Sequence, residues 1–153
     1  MRNDFDFLIG EWKVFNTRLE QWLSNCQHWL EFESRHIEKQ LHWGGTVALH
    51  HYLLDNITFE RSVLRTYSQF LDFWKIDRLD ATTKLTMAPL TGTFWSNKGS
   101  FIANGQFENK PVLVSVEWTK ICTTYACWEQ ALSPDNGKTW ETNWIMEFYK
   151  KVK

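Results

Sequence analysis

A histidine that points into a dry pocket can move a proton near neutral pH, and His36, His42, His50 and His51 are the residues whose types suit that work. His50 and His51 are adjacent, so on a strand they face opposite sides and cannot hold one metal ion between them. His36 and His42 lack a partner at readable spacing, no cysteine stands near them, and no metal is expected. A lone inward imidazole serves as a general base or as a haem ligand, and His50 is the candidate base. Glu129 and Glu117 are the other candidate catalytic groups. Arg65, in Leu64-Arg65-Thr66-Tyr67, shares a strand face with Tyr67. If that face is inward, the guanidinium must meet a carboxylate, either of a ligand or of an internal acid, because burying it unpaired is costly. An outward Arg65 is the other reading. No nucleophile elbow, phosphate loop or acid pair at readable spacing occurs, and no cofactor is expected.

The elements that would position these groups are strands. Tyr125 to Leu132 and Thr139 to Phe148 are rich in aromatic and β-branched residues and flank the turn Ser133-Pro134-Asp135-Asn136-Gly137-Lys138. Folded as a hairpin, they put Ala126, Trp128 and Gln130 on one face, opposite Met146, Trp144 and Thr142. Glu129, Glu141, Asn143 and Glu147 take the other face, with Glu129 opposite Asn143. Trp128, Trp144 and Met146 are the expected apolar walls of a small-molecule site and Gln130 its amide handle, with Arg65 and Tyr67 beside them. Core packing without a ligand is the competing reading. If the hairpin faces the other way, Glu129, Asn143 and Glu117 become the inward polar set. Within the turn, Ser133-x-Asp135-x-Gly137-x-Thr139-Trp140 matches the Asp-box, in which Ser and Asp staple turn amides and Trp packs beneath.

Upstream, Asp4 to Gly10 reads as a short helical turn with Asp4 as a possible N-cap, placed to plug one end of the fold. Gly10-Glu11-Trp12 opens a strand that runs toward Trp22, with Ser24-Asn25 as its turn. Trp29 to Ile37 follows, broken by Trp43-Gly44-Gly45. Thr46 to Leu54 is next and ends at Asp55-Asn56. Leu64 to Phe70 pairs with Asp72 to Asp77 before a loop at Asp80 to Thr83. Thr91 to Phe94, Gly99 to Ala103 and Val112 to Trp118 precede the final hairpin. Eight to ten short strands without a long amphipathic helix predict an all-β, antiparallel up-and-down barrel, since closure removes the exposed sheet edges. A β-sandwich is the rival.

At 153 residues one domain, 1–153, is expected. Ten tryptophans and eleven phenylalanines are enough both to fill a core and to line a cavity. The formal net charge is −1 with dispersed Lys and Arg, which gives no footprint for nucleic acid. Lys150, Lys151 and Lys153 read as a solvated tail. No membrane segment or secretory leader is read from the sequence, so a soluble, cytoplasmic protein, monomer or homodimer, is expected. Cys26, Cys122 and Cys127 cannot all pair and are expected to be reduced, with Cys127 packed as a small hydrophobe.

Phe5 to Trp12, the Gly44-Gly45 pair, Pro89 to Gly92, and Trp128-Glu129-Gln130-Ala131 through Trp144 together resemble a bacterial family of unknown function with a calycin-like (lipocalin- or fatty-acid-binding-protein-like) barrel. The resemblance runs from about Asp4 to Phe148. It implies that the indole of the Gly-x-Trp closes the narrow end under a basic residue from a late strand. It implies no catalytic residue, because a fold does not fix an activity. The function expected from the residues is binding of a small, largely apolar or aromatic organic molecule inside the barrel. Cyclisation or isomerisation of a hydrophobic metabolite in the same cavity is the enzymatic alternative, and a ligand-free structural or interaction barrel is the third.

Overall fold

The computed structural model describes residues 3–42, 44–54, 57–79 and 84–152, without the side chains of 53, 54 and 57–59. A 3-10 turn at Asp6–Leu8 leads into β1 (Gly10–Leu19), β2 (Trp29–Gln40), β3 (Thr46–Leu54), β4 (Ile57–Ser68), β5 (Phe73–Leu79), β6 (Leu85–Met87), β7 (Leu90–Trp95), β8 (Lys98–Phe107), β9 (Lys110–Thr119), β10 (Tyr125–Ser133) and β11 (Glu141–Lys150). From β1 to β5 and from β7 to β11 each strand pairs antiparallel with the next, β5 pairs with β7, and β11 returns to β1, so the sheet closes on itself. β6 and β7 both pair with β8 and form one interrupted stave, which makes a barrel of ten. The interruption falls at Ala88-Pro89, where proline has no N–H for the ladder, while the Ala88 N–H still donates to Asn104 O at 2.9 Å.

Alternation makes these strands. Trp12, Val14 and Asn16 of β1 are buried while Lys13 and Phe15 are exposed, and the buried series Thr46, Ala48, His50, Tyr52 repeats the pattern in β3. The expected bounds of β3 hold, but β2 runs on to Gln40 and β4 begins at Ile57 rather than Leu64. β6 was not anticipated. The turns expected at Asp55-Asn56 and Asp80 to Thr83, Trp43 of the Gly-Gly break, and Lys153 lie outside the described residues.

One end of the barrel is closed by aromatic side chains. Phe5, fully buried, meets Trp74 and Phe94 edge-on with ring centres 4.8 Å apart in each pair, and also contacts Phe101 and Trp118. Asp4 is not the N-cap of the turn, since no side chain caps it; its carboxylate instead accepts from the Trp74 indole N–H at 3.1 Å. Trp12 donates its indole N–H to Leu8 O at 2.7 Å and lies under Lys150, whose Nζ is 4.9 Å from the ring centre and donates to Ile9 O at 2.5 Å. This is the late-strand basic residue expected over the Gly-x-Trp, so Lys150 is part of the end closure rather than of a solvated tail. Gly10 has φ +128°, and a Cβ there would stand 2.9 Å from Lys150 Cε.

In the C-terminal hairpin the register is Ala126↔Phe148, Trp128↔Met146 and Gln130↔Trp144, two residues removed from the expected pairing, and Glu129 stands opposite Ile145 rather than Asn143. A bulge between Gln130 and Ala131 sets Asn143 and Trp144 together against Gln130, which turns both side chains inward. The turn is stapled by Ser133 and Asp135 as expected, although Trp140, expected to pack beneath it, is 43% exposed. Ser133 Oγ donates to Asp135 at 2.9 Å and accepts from Gly137 N–H at 2.7 Å, and Asp135 accepts from Thr139 N–H at 2.8 Å. The hydroxyl and amide of Thr139, with the Ser133 hydroxyl and the Lys138 amide, hold the Asp135 carboxyl down to about 2.

Candidate ligand site

The end opposite the aromatic plug contains a cavity of about 270 Å3 lined by Trp22, Arg61, Arg78, Leu79, Leu85, Thr86, Met87, Gln130 and Trp144. Larger depressions of about 430, 500 and 870 Å3 lie beside Arg18, Glu20 and Trp22, between surface side chains such as Lys13, Glu33 and Arg35, and along the rim past Pro134 and Trp140, and none is lined by Gln130 or Trp144. Arg78, from β5, donates to Gln130 Oε1 at 2.8 Å and to Met87 Sδ at 2.9 Å, and Gln130 donates in turn to Asn143 Oδ1 at 3.1 Å. The Arg61 guanidinium, from β4, lies 5.2 Å from the Trp144 ring centre and 5.6 Å from that of Trp128. Arg18 lies between the Trp22 and Trp144 rings, at 4.7 and 4.8 Å. Indole faces attract such cations, so the rings hold the guanidinium groups in place while leaving the wall flat. Trp22 is in the loop after β1, where its N–H donates to Leu19 O at 3.0 Å and its ring packs on Phe107.

Deeper in the barrel, polar groups form a continuous chain. Trp144 Nε1 is 2.9 Å from Asn16 Oδ1, Asn16 Nδ2 is 2.8 Å from Ser34 Oγ, and Ser34 Oγ is 2.7 Å from His50 Nε2. His50 Nδ1 is 2.9 Å from His36 Nδ1, His36 Nε2 is 2.6 Å from Glu38 Oε1, and Arg65 Nη1 is 2.6 Å from Glu38 Oε2. Burial, together with the cations of Arg61 and Arg65, pushes the His50 pKa well below the ordinary value, and burial lowers that of His36 despite the Glu38 carboxylate beside it. Burial alone would raise Glu38, but Arg65 and His36 outweigh it and hold the carboxyl below its usual range. Both imidazoles are therefore neutral and Glu38 is charged. It is the only acidic side chain among the described buried residues.

The structure brings Trp144 and Gln130 to the cavity wall and buries Trp128 and Met146 beside them. Arg65 faces inward but meets an internal acid, Glu38, and the ring of Phe5 at 5.1 Å, well removed from the mouth lining. Tyr67 packs on Trp74 near the closed end. His50 is inward and His51 outward, as their adjacency on a strand requires. His36, read as lacking a partner, is the register neighbour of His50. Glu117 and Glu129 lie outside the interior: their strand neighbours Val116, Trp118, Trp128 and Gln130 are the buried ones, Glu117 pairs with Lys98 at 2.8 Å, and Glu129 is exposed. Asn143, placed by sequence on the outer face, is inside because of the bulge. Cys127 is buried, and the three cysteines are free. Asn16, Ser34, Glu38, Arg61, Arg78 and Trp22 were missed by sequence reasoning. For the strand residues the signal was period two in polar residues, as in Ser34, His36, Glu38, and sequence reading looks for that period in apolar residues; Trp22, in a loop, carried no such signal.

The closed antiparallel barrel with almost no helix defines an all-β, lipocalin-like fold. Among solved structures it is similar to that of the S-type phycobiliprotein lyase CPES from Guillardia theta, with a TM-score of 0.65 at 11% identity over 97% of this chain and 91% of that one. At that identity the likeness shows the fold. No family model matches the chain, so the bacterial family suggested by its motifs has no matching model behind it, and no curated protein matches it either.

Proposed function

We propose that the barrel binds a small organic molecule with a flat, unsaturated or aromatic body and an anionic or hydrogen-bond-accepting group, seated in the mouth between Trp22 and Trp144. The observation that carries this reading is the pairing of indole walls with the guanidinium groups of Arg61 and Arg78 and the amide of Gln130 around one cavity. Indoles supply area for a planar body, and charge-assisted N–H donors fix its orientation. The mouth is thus more polar than the apolar site expected from Trp128, Trp144 and Met146 alone. The similar fold belongs to a lyase named for phycobiliproteins, which supports a pigment-like molecule as the first class to test.

Binding is favoured over acid/base catalysis by the lining itself. Among the described residues it holds no Asp, Glu or His, and both ring nitrogens of His50 are hydrogen-bonded within the buried chain. The test is quenching of tryptophan fluorescence by linear and cyclic tetrapyrroles, aromatic carboxylates and fatty acids. Saturable quenching is expected, with Arg78→Ala weakening it by about 10- to 100-fold, the scale of one hydrogen bond to a charged group. If no class quenches wild type saturably, the reading is wrong.

A further inference from the structure

The direction of every hydrogen bond in the buried chain follows from the chemistry of its two ends. At the cavity end, an indole N–H can only donate, so Asn16 accepts from Trp144 through Oδ1 and presents Nδ2 to Ser34 Oγ. At the far end, a carboxylate can only accept. Glu38 takes one donor from Arg65 and one from His36, so the His36 proton is on Nε2. A neutral imidazole with that proton has a bare Nδ1, which can only accept from its neighbour 2.9 Å away, Nδ1 of His50. The His50 proton is therefore on Nδ1, and its Nε2 accepts from the Ser34 hydroxyl. Ser34 satisfies both ends of the chain: its oxygen accepts from Asn16 and its hydrogen goes to His50. Drawn the other way, a bare His36 nitrogen would face a carboxylate oxygen at 2.6 Å.

We propose that Glu38 is a positioning residue for the cavity: its carboxylate selects the Nε2–H form of His36 and the Nδ1–H form of His50, and through Ser34 and Asn16 it fixes the indole of Trp144. The link to a cavity wall rests on the ligand reading above, whereas the tautomers and the hold on the indole do not. Chains of this kind polarise one another in a low-dielectric interior, so a change at one end is felt at the other. A partner behind the contacting residue also sets how well that residue keeps its geometry.

Nitrogen-15 NMR of the full chain, with histidine and tryptophan side chains observed, tests this directly. Wild type is expected to show His36 protonated on Nε2 and His50 on Nδ1. In Glu38→Gln the amide oxygen turns to Arg65 and its NH2 to His36. Both tautomers should then invert, the Trp144 indole N–H resonance should move, and affinity for the fluorescent aromatic sulfonate ANS should fall by up to about tenfold, the scale of one neutral hydrogen bond. Ser34→Ala cuts the chain between the histidines and Asn16, and serves also if Glu38→Gln does not fold. It should leave both tautomers in place, move the Trp144 resonance and weaken ANS binding, with Ser34→Thr restoring both. Opposite or doubly protonated histidines in wild type would overturn the proposal, as would a Trp144 resonance unmoved in both variants. Should the resonances behave as expected while wild type binds no ANS, the cavity role of Glu38 is overturned and the ligand reading loses its support, but the derived tautomers stand.

Discussion

The two ends of the barrel use tryptophan for different purposes. At the closed end Trp74 and Trp118 meet other rings, Phe5 and Phe148 among them, at centre distances from 4.8 to 6.4 Å, and the aromatic edges and faces satisfy one another. At the mouth Trp22 and Trp144 meet the guanidinium groups of Arg18 and Arg61. Each end has both kinds of contact, since Lys150 lies over Trp12 and Arg65 over Phe5 while Trp22 also packs on Phe107 and Trp144 on Trp128. The difference is that Lys150 and Arg65 donate inward to Ile9 O and Glu38, whereas the mouth guanidinium groups put N–H donors into a flat wall. The closed end is where aromatic content becomes stability, and the mouth is where, on the proposed function, it serves recognition. The most direct way to break this comparison is to truncate one indole from each end. Trp118→Ala should cost about 3 to 5 kcal/mol in urea denaturation, while the variant that remains folded keeps its affinity for an aromatic anion. Trp144→Ala should lose that affinity outright. Equal losses of affinity in the two variants would abolish the distinction between the ends.

A smaller effect, on pH, sharpens the contrast between the buried chain and both ends. His50 and His36 have folded pKa values depressed from 6.5, so the unfolded chain takes up protons that the barrel refuses. Their contribution to stability is complete above about 6.5 and is lost as pH falls from there toward the folded values. Glu38, depressed from 4.5, acts in the same sense at lower pH: its contribution is present above that value and disappears as pH falls through the folded pKa. Urea midpoints should therefore hold nearly level from about pH 7.5 to about pH 6.5 and decline below that toward about pH 5, with up to two protons' worth of slope. A flat profile over that range would mean that the histidines titrate as exposed groups do.

Much of the fold could be read from the sequence because its apolar residues alternate. β3 is bounded at Thr46 and Leu54 as expected, the Ser133–Thr139 staple does what its spacing implies, and Trp12 closes the end as the family resemblance implied. Legibility failed where inward positions are polar. Arg61 is as inward as Val63, yet a charge at that place hid the first half of β4. His36, Glu38 and Ser34 became visible as a set only through the β2–β3 register, which places His36 opposite His50 and Ser34 opposite Tyr52. That register pairs Gln40 with Thr46, so its centre falls one position before the Gly44-Gly45 pair, and it needed β2 to continue past Ile37 to Glu38. Asn143 could not be placed by alternation at all, because a bulge adds a residue to one strand and so reverses which side the next one faces.

The smallest expected effect is at Glu129, and it bears on the comparison by asking whether the outside of the barrel matters to the mouth. Glu129 is exposed on β10 and stands opposite Glu117 of β9, which already holds Lys98 at 2.8 Å. Glu129→Ala removes a like-charge neighbour and no described hydrogen bond, so its effect on stability should stay within about 0.5 kcal/mol in either direction. A sensitive local reporter lies two residues away. Burial raises the pKa of the Cys127 thiol, and the Glu129 charge raises it further, so the substitution should lower that pKa modestly and leave the larger effect of burial in place. Titrating the reaction of Cys127 with a small thiol reagent, with Cys26 and Cys122 replaced by Ser, measures this. Quenching by an aromatic anion at the mouth should be unchanged in the same variant. Loss of binding on Glu129→Ala, with stability intact, would move the site from the mouth to the outer face of β9 and β10.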